Sequence, residues 1–207
     1  MTYLNISKHY ESCLEKHGDT PKGMDWPNEQ DLTRRYEVML EVFQRRTSYH
    51  PISLLDFGCG TSGLYTHILN NQIGNIKYYG LDISRKFIDI CERKYPENTY
   101  FCLDVIRENG VMPNFDYIVM NGLFTVRHDL GYPDMLSFFQ SIILEMKKFA
   151  SKGMAFNVMS KHVDWERDDL FHLPFDIAVD FITKNVTKEF IIRSDYGLHE
   201  YTVYLYF

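Results

Sequence analysis

Hydrophobic positions between residues 52 and 160 switch repeatedly between two kinds of pattern. Short apolar runs predict strands just before residue 56 and at 76–82, 99–104, 115–120 and 154–158. Helical spacing predicts helices between them at 63–70, 84–95 and 133–149. This alternation is typical of a parallel sheet covered by helices. We expect the strands 99–104 and 115–120 to pair in parallel, joined over 105–114 by a reduced crossover helix or loop.

The two ends of the chain depart from this alternation. A loop from Gly18 to Pro27 separates a predicted helix over 6–16 from a second helix that begins near Asn28, with Asn28 or Asp31 as its cap. After a helix over 174–185, apolar runs flank the short segment 195–198, a pattern that predicts an antiparallel hairpin.

Composition narrows the classes of partner. The 207 residues carry a formal charge of −6 without a basic cluster, so a nucleic-acid partner is disfavoured. The four cysteines form no C-x-x-C pair, and the chain contains no sequence pattern of a metal site. No window approaches the ~20 apolar residues of a membrane span, and no signal segment is evident. We expect a cytoplasmic protein without a membrane partner; the sequence does not indicate an oligomeric state.

Three closely spaced glycines follow the first strand. They are Gly58, Gly60 and Gly63, and the first of them stands two residues after Asp56. Because glycine has no Cβ, the chain can turn with positive φ and a ligand can approach the backbone amides. This spacing also satisfies the G-x-G-x-x-G pattern of dinucleotide-binding folds, so the glycines alone do not choose between nucleotide cofactors.

Acidic residues stand at the ends of three successive predicted strands, namely Asp56, Asp82 and Asp104. Parallel sheets bind ligands at the carboxyl ends of their strands. A carboxylate in the position of Asp82 can accept hydrogen bonds from both ribose hydroxyls. Asp104 can accept a hydrogen bond from the exocyclic amine of adenine. Ile83 and Val105 offer apolar faces to the ring. The pattern predicts a nucleoside site.

The segments DFGCGTSG (56–63), YGLDIS (79–84), LDV (103–105) and FDYIVM (115–120) together resemble class I S-adenosylmethionine-dependent methyltransferases. The resemblance implies an α/β, Rossmann-like, seven-stranded and mostly parallel sheet with helices on both faces and an antiparallel terminal hairpin strand. It also implies S-adenosyl-L-methionine as cofactor, with the glycine loop at its methionyl part, Asp82 at the ribose, and Asp104 with Val105 at the adenine.

The resemblance further implies a single methyltransferase domain over 1–207. Residues 1–50 would form an N-terminal helical lid, and 51–207 a cofactor-binding core with acceptor-side insertions. Ser62 stands where many members carry glycine, and we expect Gly63 to supply the backbone freedom instead. Asn121, after the fourth strand, is expected at the cofactor and acceptor. Arg35 is expected either on the cofactor carboxylate or in a rim salt bridge.

The remaining candidates concern the acceptor. Methylation of an oxygen needs a base, for which His128 and then His199 are the candidates. An amine acceptor would need no strong base. The segments that the core fold does not need contribute Trp26, Phe124, Arg127 and Tyr132 as candidate substrate-binding residues.

The leading hypothesis is an O-methyltransferase acting on a small molecule such as a sugar or another biosynthetic intermediate. Three alternatives stay open: a small-molecule N-methyltransferase, an NAD-dependent oxidoreductase, and a catalytically silent cofactor-binding module. The missing second substrate domain and the terminal hairpin weigh against the oxidoreductase.

Overall fold

A mixed sheet runs through the centre of the computed structural model, which describes residues 3–45, 50–108 and 110–207. Its strands are β1 (Ile52–Phe57), β2 (Ile76–Asp82), β3 (Thr99–Cys102), β4 (Phe115–Phe124), β5 (Ala150–Ser160), β6 (His172–Leu173), β7 (Phe190–Arg193) and β8 (Glu200–Tyr206). The helices are α1 (Leu4–His17), α2 (Glu29–Leu40), α3 (Gly63–Asn70), α4 (Arg85–Lys94), α5 (Tyr132–Lys147) and α6 (Phe175–Asn185), with short 3₁₀ helices at Pro21–Met24 and Glu41–Arg45. The predicted α/β class is therefore confirmed.

The strand order is β3-β2-β1-β4-β5-β8-β7, and the two-residue β6 pairs with β5 outside this path. β8 runs antiparallel to both β5 and β7, which confirms the predicted terminal hairpin. The predicted pairing of the third and fourth strands is wrong. β3 pairs with β2, whereas β4 crosses back over the sheet to lie between β1 and β5, where it gains two parallel neighbours.

Side chains on the two faces of the sheet belong to separate apolar cores. Leu55 of β1 packs in the core shared with α5 and α6, whereas its neighbour Leu54 packs in the core shared with α2 and α3. Successive strand residues point to opposite faces, and both faces are covered, so the central strands are apolar without alternation. The switch between β2 and β4 on either side of β1 creates the crevice where such sheets bind ligands.

The N-terminal segment closes this carboxyl edge of the sheet. The side-chain oxygen of Asn28 accepts the amides of Gln30 at 2.9 Å and Asp31 at 3.3 Å, which confirms Asn28 as the cap of α2. α1 is tied to α4 by the ion pairs of Lys86 with Glu11 at 3.0 Å and with Glu15 at 2.7 Å. Within the described ranges, no helix combines the length and apolar character needed to cross a bilayer.

Candidate cofactor and acceptor site

The glycine turn is built by backbone hydrogen bonds to the neighbouring strand. Gly58 and Gly60 have φ of 76° and 52°, in the left-handed region that glycine adopts at little cost. The amides of Gly58 and Cys59 donate to the carbonyl of Leu81 at 2.7 and 3.0 Å. The turn therefore has a defined shape within the chain itself.

Ser62 corrects one detail of this turn. Ser62 itself takes the left-handed conformation, with φ of 60°, while Gly63 is the first residue of α3, so the expectation that Gly63 supplies the freedom is wrong. The buried Ser62 hydroxyl lies 3.0 Å from the Cys91 sulfur and 3.2 Å from the Tyr100 hydroxyl. Gly63 instead allows the close approach of α2, because a Cβ there would collide with the Tyr36 hydroxyl.

Asp56 and Asp82 line one cleft at the ends of β1 and β2. The Tyr78 hydroxyl donates to Asp56 at 2.7 Å, yet burial raises the pKa of Asp56 to about 7. Asp82 accepts the amides of Gly60 at 3.1 Å and Ser84 at 2.9 Å, and burial raises its pKa to about 6. Asp82 thus joins the end of β2 to the glycine turn.

Asp104 lines the same cleft, with Ile83 and Val105. Its two oxygens lie 3.0 and 2.8 Å from the Tyr3 hydroxyl, and one also accepts the Ile106 amide at 3.1 Å. Burial and the Asp104 carboxylate raise the pKa of Tyr3 to about 12. This contact brings the start of the chain into the predicted adenine region, and no local signal around Tyr3 indicates it.

Met24 and Trp26 form one wall of the cleft. A Cβ on Gly60 would meet the Met24 sulfur at 2.6 Å, and a Cβ on Gly122 would meet the Trp26 ring at 2.5 Å. Gly122 has φ of 76°, so both its conformation and the approach of Trp26 require glycine. The loop from residue 18 to 27 therefore lies directly against the cleft.

Arg35 is held by a buried partner from the far end of the chain. Its guanidinium lies over the Trp26 ring at 4.5 Å and pairs with the fully buried Glu200 carboxylate, with nitrogen–oxygen distances of 2.8–3.1 Å. Glu200 also accepts the Asn157 amide at 2.9 Å, and the Asn157 oxygen accepts the Gly122 amide at 2.7 Å. Of the two roles expected for Arg35, this geometry favours the salt bridge.

Asn121 lines the cleft at the carboxyl end of β4. Its side-chain oxygen is buried and, within the described chain, has no hydrogen-bond partner. Phe124 does not join it. The fully buried Phe124 ring packs edge-on against Phe139 at 5.0 Å and against Phe156 at 6.1 Å, because β4 extends beyond the predicted strand and carries the ring into the core. The structure therefore places Phe124 in the core and not at the acceptor site.

His128 lies on the loop between β4 and α5, outside the residues that line the cleft, in a left-handed conformation with φ of 48°. Its ring contacts that of His9 at a centroid distance of 4.0 Å. The His128 Nε2 atom is buried without a hydrogen-bond partner among the described residues, and burial together with His9 lowers its pKa. His128 is therefore neutral at pH 7, the form in which an imidazole can accept a proton.

The other acceptor-side candidates differ in their surroundings. The Arg127 guanidinium donates to the carbonyls of Leu170 at 3.2 Å and Leu130 at 2.7 Å, so it fastens its own loop. The Tyr132 hydroxyl is buried with no hydrogen-bond partner in the described part of the chain. His199 is exposed beside the hairpin and does not line the cleft.

Comparisons with known proteins bear on the domain and the fold. Residues 55–143 match the family model of the methyltransferase domain. Among solved structures, magnesium protoporphyrin IX methyltransferase from Synechocystis PCC 6803 is similar, with a TM-score of 0.67, 13% identity and coverage of 98% of this chain and 99% of that one. Among curated proteins, no sequence matches the chain significantly.

Two further structures have the same fold. The N-methyltransferase NodS from Bradyrhizobium japonicum WM9 has a TM-score of 0.65 at 12% identity, covering 95% of this chain and 97% of that one. An S-adenosylmethionine-dependent methyltransferase from Clostridium acetobutylicum ATCC 824 has a TM-score of 0.59 at 10% identity, covering 99% of this chain and 98% of that one. The predicted resemblance and the predicted fold are therefore confirmed.

Proposed function

We propose that this chain, an S-adenosylmethionine-dependent methyltransferase by its domain and its fold, methylates a hydroxyl oxygen of a small molecule such as a sugar. The observation that carries the proposal is the buried Asn121 oxygen, which lines the cleft without a hydrogen-bond partner among the described residues. Two further buried atoms without described partners, His128 Nε2 and the Tyr132 hydroxyl, follow it on the chain. A buried polar group without a partner costs about 1–3 kcal/mol. A ligand rich in hydroxyl groups can both donate to and accept from such atoms.

The cofactor residues fit S-adenosylmethionine by the chemistry of their donor set. Asp82 and Asp104 retain free lone pairs on their carboxylate oxygens, which suit the ribose hydroxyls and the adenine amine. Close approach to the backbone is possible at Gly58 and Gly60, and Ile83 and Val105 are the apolar residues beside the ring. The bound cofactor supplies an electrophilic methyl group on a sulfonium.

The task left to the chain is alignment and proton removal. Methyl transfer is an in-line displacement, so the enzyme gains most by orienting the acceptor and excluding water. Met24 lies against Gly60 of the glycine turn, Trp26 lies against Gly122, and Asn121 offers its oxygen to the acceptor. His128, neutral at pH 7, takes the proton of the attacking hydroxyl. The net charge of −6 supports a small-molecule acceptor over a nucleic acid.

The test is an acceptor panel of sugars, phenols and amines with products identified by mass spectrometry, followed by pH profiles of kcat/KM. We expect O-methylated product and a rate that falls as pH drops through the pKa of His128, because the protonated imidazole cannot act as a base. His128→Gln should lower kcat about 10²- to 10⁴-fold and remove this acid limb.

His199→Gln is the matched control, because that histidine is exposed beside the terminal hairpin, whereas His128 Nε2 is buried. It should leave the profile unchanged. If His199→Gln removed the acid limb and His128→Gln did not, the assignment of the base would be wrong. Product formed only from amines would support the N-methyltransferase alternative. Cofactor binding with no turnover across the panel would support the silent module.

A further inference from the structure

Three side chains with metal-ligating atoms meet where α1 contacts the loop before α2. His9 and Cys13 are four residues apart in α1, a spacing that puts both on one face of the helix. Asp25 reaches them from the loop. His9 Nε2 lies 2.9 Å from Asp25 Oδ2 and 3.6 Å from Cys13 Sγ, and the three atoms all lie within 4.8 Å of one another.

Two of these three separations are close to those of a zinc coordination sphere. Zinc binds nitrogen and oxygen at about 2.0–2.2 Å and sulfur at about 2.3 Å, usually in tetrahedral geometry, which separates neighbouring ligand atoms by roughly 3.3–3.7 Å. The distance of 3.6 Å between His9 and Cys13 already has this value. The distance of 2.9 Å between His9 and Asp25 needs to widen by only a few tenths of an ångström.

We propose that His9, Cys13 and Asp25 form a binding site for one Zn²⁺ ion, with the fourth coordination position left to water. Thiolate and imidazole ligands select zinc over Mg²⁺ and Ca²⁺, which prefer a set made of oxygens. A site with three protein ligands and one open position is a common zinc arrangement.

The surroundings of the cluster support a site and not a chance contact. Asp25 has φ of 56°, a left-handed conformation that a non-glycine residue adopts at some cost, and the neighbouring His128 has φ of 48°. Within the described ranges, no lysine or arginine forms an ion pair with Asp25; His9 is its ionic partner. The cluster thus brings a carboxylate and a thiol close together, with His9 as the ionic partner of the carboxylate.

An ion at this position would join two pieces of the N-terminal segment. α1 supplies two ligands, and the loop that carries Met24 and Trp26 supplies the third. Because Met24 and Trp26 lie against Gly60 and Gly122, zinc would hold this wall in place over the cleft. The ring of the ligand His9 contacts the proposed base His128, so the metal site adjoins the proposed acceptor side, but its test does not depend on turnover.

Titration of the full chain with Co²⁺ tests the site, because a thiolate bound to Co²⁺ gives a near-ultraviolet charge-transfer band. We expect one Co²⁺ per chain with this band, and loss of the band when Zn²⁺ is added. The Cys13→Ser variant should lack the band. Asp25→Asn keeps a residue that tolerates the left-handed conformation and should weaken Co²⁺ binding more than about tenfold, since even an outer-shell loss costs about 10–100-fold.

Cys102→Ser is the matched control, because Cys102 is an exposed free cysteine on β3. It should keep the band and the affinity of the unchanged chain. Absence of the band at saturating Co²⁺, or a band that survives in Cys13→Ser, would overturn the proposal. As a second measurement, Zn²⁺ should raise the Tm of Cys102→Ser and leave that of Cys13→Ser unchanged, with circular dichroism confirming that both variants fold.

Discussion

The proposed cofactor side and the proposed acceptor side differ in whether their polar atoms have hydrogen-bond partners. On the cofactor side, Asp56, Asp82 and Asp104 already accept hydrogen bonds from within the chain. On the proposed acceptor side, Asn121 in the cleft and His128 on the loop after β4 have buried polar atoms that no described residue satisfies. The proposed cofactor side is preorganised by its own hydrogen bonds, whereas our proposal leaves the polar atoms of the acceptor side to pair with a ligand.

This difference indicates where specificity resides. Groups that are already paired hold the shape of the proposed cofactor side without an acceptor. Unpaired groups discriminate between acceptors, because an acceptor that fails to pair them leaves their desolvation cost in place. The proposed acceptor side also draws on segments outside the core alternation, the loop before α2 and the loop that follows β4.

The largest expected effect comes from Asp82→Ala, which tests the preorganised side. The variant loses the acceptor of the Gly60 and Ser84 amides together with the proposed ribose contact. Hydrogen bonds to charged groups contribute about 1.5–3 kcal/mol each, so binding of S-adenosylmethionine should weaken at least about 100-fold. Titration calorimetry with S-adenosylmethionine and with NAD measures this.

Asp89→Ala is the control for that experiment, because Asp89 is a half-exposed residue of α4 that pairs with Arg85 on the surface. It should bind the cofactor like the unchanged chain. Equal losses in both variants would mean that the effect is not specific to the strand end. Binding of NAD alone would contradict the methyltransferase assignment.

Arg35→Met sharpens the comparison by separating stability from cofactor binding. Removing one partner of a buried ion pair costs about 3–5 kcal/mol, because the buried Glu200 charge is left uncompensated. We expect a loss of this size in urea unfolding, and partial recovery in the double variant with Glu200→Gln. A large loss of cofactor affinity at unchanged stability would instead favour the role on the cofactor carboxylate.

The smallest effect is expected from Gly122→Ala compared with Gly197→Ala. The two glycines have φ of 76° and 77°, so alanine costs roughly 1–2 kcal/mol at either position. A Cβ on Gly197 meets nothing within 4 Å, whereas one on Gly122 meets the Trp26 ring. Gly122→Ala should therefore cost more in urea unfolding and change the Trp26 fluorescence, measured with the exposed Trp165 replaced by phenylalanine. Equal costs would mean that Trp26 is not held against Gly122.

Local patterns were sufficient for most of the sheet and for the cofactor side. The predicted helix at 63–70 and strand at 76–82 coincide with α3 and β2, and Asn28 caps α2 as expected. These features depend on neighbours within a few residues, which periodicity and capping chemistry read directly. The carboxylates at the strand ends share one cleft because parallel strands necessarily bring their carboxyl ends together.

Side-chain contacts between segments that are distant in the sequence could not be predicted from local patterns. Arg35 meets Glu200, and Tyr3 meets Asp104, across 165 and 101 residues of sequence. The sequence contained no pattern for a metal site, yet packing α1 against the loop before α2 assembles His9, Cys13 and Asp25. Phe124 went to the core because β4 is longer than its apolar run suggests.

By itself, the sequence determined the alternation of strands and helices, the glycine turn and the acidic residues at the strand ends, because each of these is a property of a short segment. Only the tertiary structure decided which charges are paired, which polar atoms remain without partners and which side chains gather beside the cleft. The physical reason is that a side chain's partner depends on how distant elements pack, and that packing is set by the whole core.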